Sequence, residues 1–149
     1  MVQDLYFMKI ALKEAFIAFY KNEVPIGAAM IYENTVIAKA HNLTETLSNT
    51  TAHAEMLVIN LASNFLGKKY IRECTLYVTL EPCIMCAGAL FWSKIGRVVC
   101  GAPNQRGFMY YGIKLHPKTK FISGIMKNKC IALIQKFFFL KRIYPKNLY

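Results

Sequence analysis

Two short clusters hold the side chains that could do chemistry together. One is His53-Ala54-Glu55; after 26 intervening residues comes Pro82-Cys83-Ile84-Met85-Cys86. One imidazole and two thiols suit zinc, which at a catalytic centre takes three protein ligands and keeps a fourth position for water. His53, Cys83 and Cys86 are the candidate ligands. Glu55 is left as a carboxylate beside the metal, free to carry protons. A closed structural zinc site would need a fourth Cys or His. The nearest ones, Cys74 and Cys100, sit inside apolar runs and read as small core residues. A redox pair would use the two cysteines of Cys-x-x-Cys alone and give Glu55 no part.

The elements that must position these groups follow from the spacing. Residues two apart point to opposite flanks of a helix, so His53 and Glu55 meet only by leaning over its first turn. Thr50 and Thr51 precede them and are expected as the N-cap. Met56, Leu57, Ile59, Asn60 and Leu61 then continue as a largely buried helix. Pro82 suits the first turn of a second helix, where a missing N–H is harmless. Cys83 and Cys86 fall on one side of that turn. Two helix N-termini facing one metal would favour thiolates through their partial positive charge.

The rest of the chain reads as alternating helices and strands. Leu5, Met8, Leu12, Ala15, Phe16 and Phe19 predict an amphipathic helix over residues 3–21, with Asp4 as its cap. Residues 28–32 and 35–40 predict a hairpin turning at Glu33-Asn34. Residues 41–49 form a polar loop running into the metal helix, and Gly67 stops that helix. A strand over 74–80 delivers Glu81-Pro82 to the metal; Glu81 reads as structural rather than catalytic. Strands follow at 97–100 and 121–123, with an irregular, basic and aromatic stretch over 103–120. Asn128 caps a last helix through Leu140, and a basic tail begins at Lys141. This order indicates one domain over residues 1–149, an α/β fold around a mixed sheet.

Charge is divided unevenly along the chain. Residues 1–81 hold all eight acidic side chains and seven basic ones, a net −1; residues 82–149 hold twelve Lys and Arg and no acid, a net +12. Such a half suggests a polyanionic partner, with nucleic acid favoured over a merely solvated basic face. Tyr110 and Tyr111, or the run Phe137–Phe139, could stack on bases, although Phe137 and Phe138 more often serve a core or a dimer contact. No 18-residue apolar run is present, so no membrane span is expected, and the N-terminus lacks a signal pattern. Five cysteines form no disulfide framework; Cys74, Cys100 and Cys130 are expected as free thiols in a reducing cytoplasm.

His-x-Glu paired with Pro-Cys-x-x-Cys is the shared signature of the zinc-dependent nucleobase deaminases. Further stretches narrow the likeness: Glu23-Val24-Pro25-Ile26-Gly27-Ala28, His41-Asn42, Thr51-Ala52-His53-Ala54-Glu55, Thr75 to Cys83 with Met85 to Ala89, and Gly96 to Val99 ending in Gly101-Ala102. From about Asp4 to Arg142 the chain resembles the bacterial tRNA-specific adenosine deaminases of the cytidine deaminase-like superfamily. The resemblance implies a three-layer α/β/α sandwich with a five-stranded mixed sheet, and a homodimer. It implies conversion of the wobble adenosine of an arginine tRNA to inosine with one zinc per subunit. Carried over by position, His53, Cys83 and Cys86 hold the metal, Glu55 shuttles protons and Asn42 contacts the target base. Many members of the family carry an acidic residue where this chain has Asn104, which implies looser discrimination among polynucleotides here.

In that reading Glu55 takes a proton from the water and passes protons to adenine N1 and to the leaving ammonia. A desolvated carboxylate has the raised pKa this needs. The rival enzyme is a small-molecule deaminase of guanine, cytosine or a nucleoside, which shares the metal site but has no use for the basic half. The rival without catalysis, a zinc-stabilised RNA-binding module, leaves Glu55 idle.

Overall fold

A computed structural model describes residues 1–145. In chain order the elements are α1 (Val2–Tyr20), β1 (Gly27–Tyr32), β2 (Thr35–His41), α2 (Ala54–Leu66), β3 (Thr75–Leu80), α3 (Ile84–Trp92), β4 (Arg97–Ala102), β5 (Lys120–Ser123) and α4 (Lys127–Ile143). One five-stranded sheet has the order β2-β1-β3-β4-β5. The β2/β1/β3 pairs are antiparallel, whereas β3, β4 and β5 run parallel. The mixed sheet follows from the connections: a two-residue turn can only reverse a strand, whereas the long crossovers, α3 between β3 and β4 and the irregular stretch between β4 and β5, return the chain in parallel. At the hairpin Glu33 and Asn34 both have positive φ, 47° and 60°, the backbone that matches the twist of the flanking strands.

Alternation along the strands divides the core into two layers. Ala28, Met30, Leu76, Val78 and Val98 face α2 and α3, packing on Val58, Ile59, Ala62 and Leu90. Ala29, Ile31, Tyr77 and Val99 face α1 through Phe7, Met8 and Ala11. Leu12 and Ala15 of α1 meet Cys130 and Leu133 of α4 over Ala102. The result is the α/β/α sandwich. Gly27 lets α1 lie close on β1, because a β-carbon there would strike the Ala11 carbonyl oxygen.

Several local expectations are corrected. Asp4 does not cap α1: Met1 is the N-cap, and the Asp4 carboxylate accepts hydrogen bonds from Tyr77 and Arg97 instead. Helix α4 starts after Met126, so Asn128 lies inside it, and it runs through Lys141 and Arg142 to Ile143. Of the expected basic tail, Lys146 lies outside the described residues. Leu61 and Phe65 of α2 are exposed, because the buried face of that helix is carried by Ala54, Val58, Ile59 and Ala62. Gly67 closes α2 in the left-handed region as expected. Cys74, Cys100 and Cys130 are buried free thiols. No helix among the described residues is long and apolar enough to cross a membrane.

Candidate metal centre

The metal-donor residues themselves begin the two helices. His53 is the N-cap of α2 (φ −73°, ψ 152°) and Cys83 the N-cap of α3 (φ −70°, ψ 174°), and neither helix has a side-chain capping hydrogen bond. This corrects the expectation for Thr50 and Thr51: Thr51 turns back onto Asn49. It also moves Pro82 to the position just before the cap. Extended backbone at an N-cap throws the side chain across the helix end, so the His53 and Cys83 side chains leave the helix ends and face each other.

His53 Nδ1 lies 3.6 Å from Cys83 Sγ and 3.6 Å from Cys86 Sγ. All three donor atoms lie within 4.8 Å of one another, close enough to hold one metal ion. The set is soft and of the type zinc takes. A hydrogen bond from Cys86 holds the Cys83 thiol down to about 4, whereas the same bond and burial push Cys86 up. The hydrogen bond to Cys83 also raises His53. Two sulfurs and one imidazole thus share protons that a cation would displace.

Glu55 stands one residue beyond Ala54 in the first turn of α2 and is 3% exposed. Its Oε2 is buried without a hydrogen-bond partner. Leaving such a group unpaired costs about 1–3 kcal/mol, so a fold keeps it only where something else uses it. Burial pushes the carboxyl up to about 7. A carboxyl poised there exchanges protons near neutral pH.

Asn42 follows β2 and is buried. Its backbone N–H donates to Ile26 O, and its side chain reaches Thr44 Oγ1 at 3.4 Å. The next residue, Leu43, donates to Ala52 O, which places Asn42 beside the segment entering His53. Asn42 is therefore next to the donor cluster and not within it.

Two carboxylates fix the loops around the centre. Glu81, expected from the sequence to be structural, accepts hydrogen bonds from the Met109 and Asn104 backbone N–H groups, and its carbonyl accepts from Asn104 Nδ2 at 3.2 Å. Phe108 N donates to Pro82 O, and Cys83 pairs with Gly107 in an isolated bridge. The 103–112 loop, irregular as expected, is thereby bound to the chain at Glu81, Pro82 and Cys83. A β-carbon at Gly107 would meet the Glu81 carboxylate and push it off its hydrogen bonds to the loop. Sequence reasoning gave Glu23 no role. It is fully buried, and its carboxylate accepts from Glu45 N (3.0 Å) and Thr46 N (2.7 Å), holding the loop after Asn42. Burial raises its pKa, but these hydrogen bonds outweigh burial and leave it lowered. The one signal was a lone acid opening an apolar run.

The basic half is less uniform than its count. Arg97 is committed to Asp4 at 2.8 Å, and Lys141 lies over the Phe137 ring. Tyr110 and Tyr111 are exposed, whereas Phe137 is core. A groove of about 870 Å³ lined by Val24, Leu80, Asn104, Arg106 and Phe138, among others, opens at the end of the sheet that carries the donors.

Residues 1–102 match the family described as the cytidine and deoxycytidylate deaminase zinc-binding region. The tRNA-specific adenosine deaminase of Bacillus subtilis (strain 168) is 42% identical over 145 residues, covering 93% of this chain and 90% of the relative. That of Aquifex aeolicus (strain VF5) is 52% identical over 101 residues, covering 68% of this chain and 67% of the relative. A solved structure from work on A-to-I editing by tRNA:A34 deaminases at the wobble position of transfer RNA superposes with a TM-score of 0.80 at 36% identity. It covers 86% of this chain and 98% of the other.

Proposed function

The chain belongs to the cytidine and deoxycytidylate deaminase family, and from that premise we propose that it deaminates the wobble adenosine of a tRNA to inosine, with an arginine tRNA as the substrate. The observation that carries this is the unpartnered Oε2 of Glu55 beside the His53, Cys83 and Cys86 donors. The proposal extends to a single catalytic domain over residues 1–149, a cytoplasmic enzyme, and one zinc per chain on those three donors.

Zinc bound there supplies the acidity that makes a water a nucleophile near neutral pH. Glu55 does the proton work. It accepts a proton from the attacking water and gives one to adenine N1 as C6 is attacked. It then relays a proton to the departing amine, so that one water is consumed, one ammonia leaves and Glu55 ends as it began. Burial supports this role by bringing the charged and neutral carboxyl close in energy. Asn42 reads the base edge, offering a donor and an acceptor on one rigid amide.

A base in a loop leaves its stack at less cost than one in a duplex, which favours an anticodon loop as substrate. The exposure of Tyr110 and Tyr111, on the loop tied to Cys83, supports stacking on neighbouring bases. The exposed apolar side chains Leu61 and Phe65 of α2 and Ile84 and Trp92 of α3 support a homodimer joined through these helices. Inosine formation in an arginine anticodon stem-loop tests the function. Deamination of free guanine, cytosine or a nucleoside with the stem-loop untouched would replace it by the small-molecule reading.

A further inference from the structure

At the far end of α2 and α3 from the donors, three cations crowd one aromatic ring. Lys69 Nζ, the Arg72 guanidinium carbon and Lys94 Nζ lie 4.9, 4.8 and 4.4 Å from the centre of the Tyr70 ring. Lys68 adjoins them in a depression of about 350 Å³ lined by Lys68, Lys69, Tyr70, Arg72 and Glu73. Among the described residues no carboxylate lies within 4.0 Å of any of these four cations. Charge counting along the sequence hid this patch, since three of its cations fall in the half whose charges cancel.

The patch is held rigidly. Ile71 N donates to Ser93 O at 2.9 Å, and Cys74 N to Ile71 O at 3.0 Å, so the 68–74 turn is tied to the end of α3. Lys94 has φ 53°, a left-handed backbone that a side chain with a β-carbon resists. The fold nevertheless places a lysine there, over Tyr70. Helix C-termini at Gly67 and Ser93 attract cations, but they do not require three of them on one ring. Like charges gathered and left unpaired are relieved by a polyanion.

We propose that Lys68, Lys69, Arg72 and Lys94, gathered around Tyr70, form a second phosphate-binding surface for the RNA backbone, remote from the reacting base. This rests on an RNA being the substrate. Helix α2 has 13 residues, about 20 Å at 1.5 Å each, so the surface serves an RNA that extends well beyond the anticodon loop. A full-length tRNA engages it and a short stem-loop does not.

The test is a salt titration of binding, using wild type and the double variant Lys69→Gln/Lys94→Gln, on a full-length arginine tRNA transcript and on its anticodon stem-loop. Removing one phosphate-binding charge makes the salt dependence shallower by about 1, so the tRNA slope should fall by about 2 while the stem-loop slope stays put. Arg72→Lys keeps the charge and should bind full-length tRNA as wild type does, which separates loss of charge from loss of fold. Unchanged tRNA slopes, or equal weakening on both RNAs, would overturn the proposal. Wild-type turnover of either RNA reports on the proposed function separately, because the binding slopes are read without catalysis.

Discussion

His53 and Cys83 are the N-caps of two different helices, and Nδ1 of one lies 3.6 Å from Sγ of the other. Each residue thus starts a helix and offers a metal donor at once. The usual hydroxyl caps are absent because these two candidate donors occupy the cap positions. The positive ends of α2 and α3 converge where thiolates and a developing negative charge would sit.

Removing a donor should therefore remove the metal. His53→Ala, Cys83→Ser and Cys86→Ala are each expected to fall well below one zinc per chain by elemental analysis and to lose deamination. In wild type a strong chelator should abolish activity and added zinc should restore it. Stoichiometric zinc in all three variants would reject the assignment of these ligands.

Glu55→Gln keeps the shape and loses the proton carrier. One zinc per chain should remain, while turnover drops by about 10²–10⁴, the usual contribution of a general acid–base. Turnover within a few-fold of wild type would mean that another group moves the protons.

Asp4 and Arg97 form a mostly buried, two-point ion pair that also engages Tyr77. The Arg97 hydrogen bond holds the Asp4 carboxyl below its ordinary 3.8. A lowered carboxyl pKa stabilises the fold fully above the ordinary value, and the effect fades as pH falls below it through the lowered one. Asp4→Asn should cost about 1.5–3 kcal/mol in neutral urea melts, and the gap to wild type should narrow as the melts are repeated below the ordinary carboxyl value of 3.8. A gap independent of pH would assign the loss to packing.

Gly107→Ala drives a β-carbon into the Glu81 carboxylate. Overpacking of this kind costs about 1–3 kcal/mol. The expected outcome is a less stable chain that keeps its zinc but binds the anticodon stem-loop more weakly, measured by metal content and stem-loop affinity together. Unchanged affinity would detach this loop from the substrate.

Asn104 donates Nδ2 to the Glu81 carbonyl, a bond that aspartate cannot make. Asn104→Asp also sets a second carboxylate near Glu81 on the groove. It should lower turnover of a DNA stem-loop more than of the matching RNA; equal RNA-to-DNA ratios in the two proteins would reject a role in discrimination.

That His53, Cys83 and Cys86 come together, and that the sheet is mixed, was legible because each rests on short-range spacing or on the alternation of helices and strands; the order of the strands was not. Nor were the caps. Thr50, Thr51 and Asn128 carry the right side chains, but Thr51 bonds within its own turn and Asn128 lies inside α4. The supports at Glu23 and Glu81 join residues more than twenty positions apart, and local pattern carries no trace of such partners. The same holds for the ring of cations on Tyr70, assembled when the turn after α2 meets the end of α3.

The most direct measurement is inosine formation by the zinc-loaded protein on an arginine anticodon stem-loop with a wobble adenosine, beside free adenosine, cytidine and guanine. The geometry and the family together lead to inosine at the wobble position of the stem-loop and no change in the free compounds. Turnover of a free base or nucleoside with the stem-loop intact would contradict the assignment and make this metal centre that of a small-molecule deaminase.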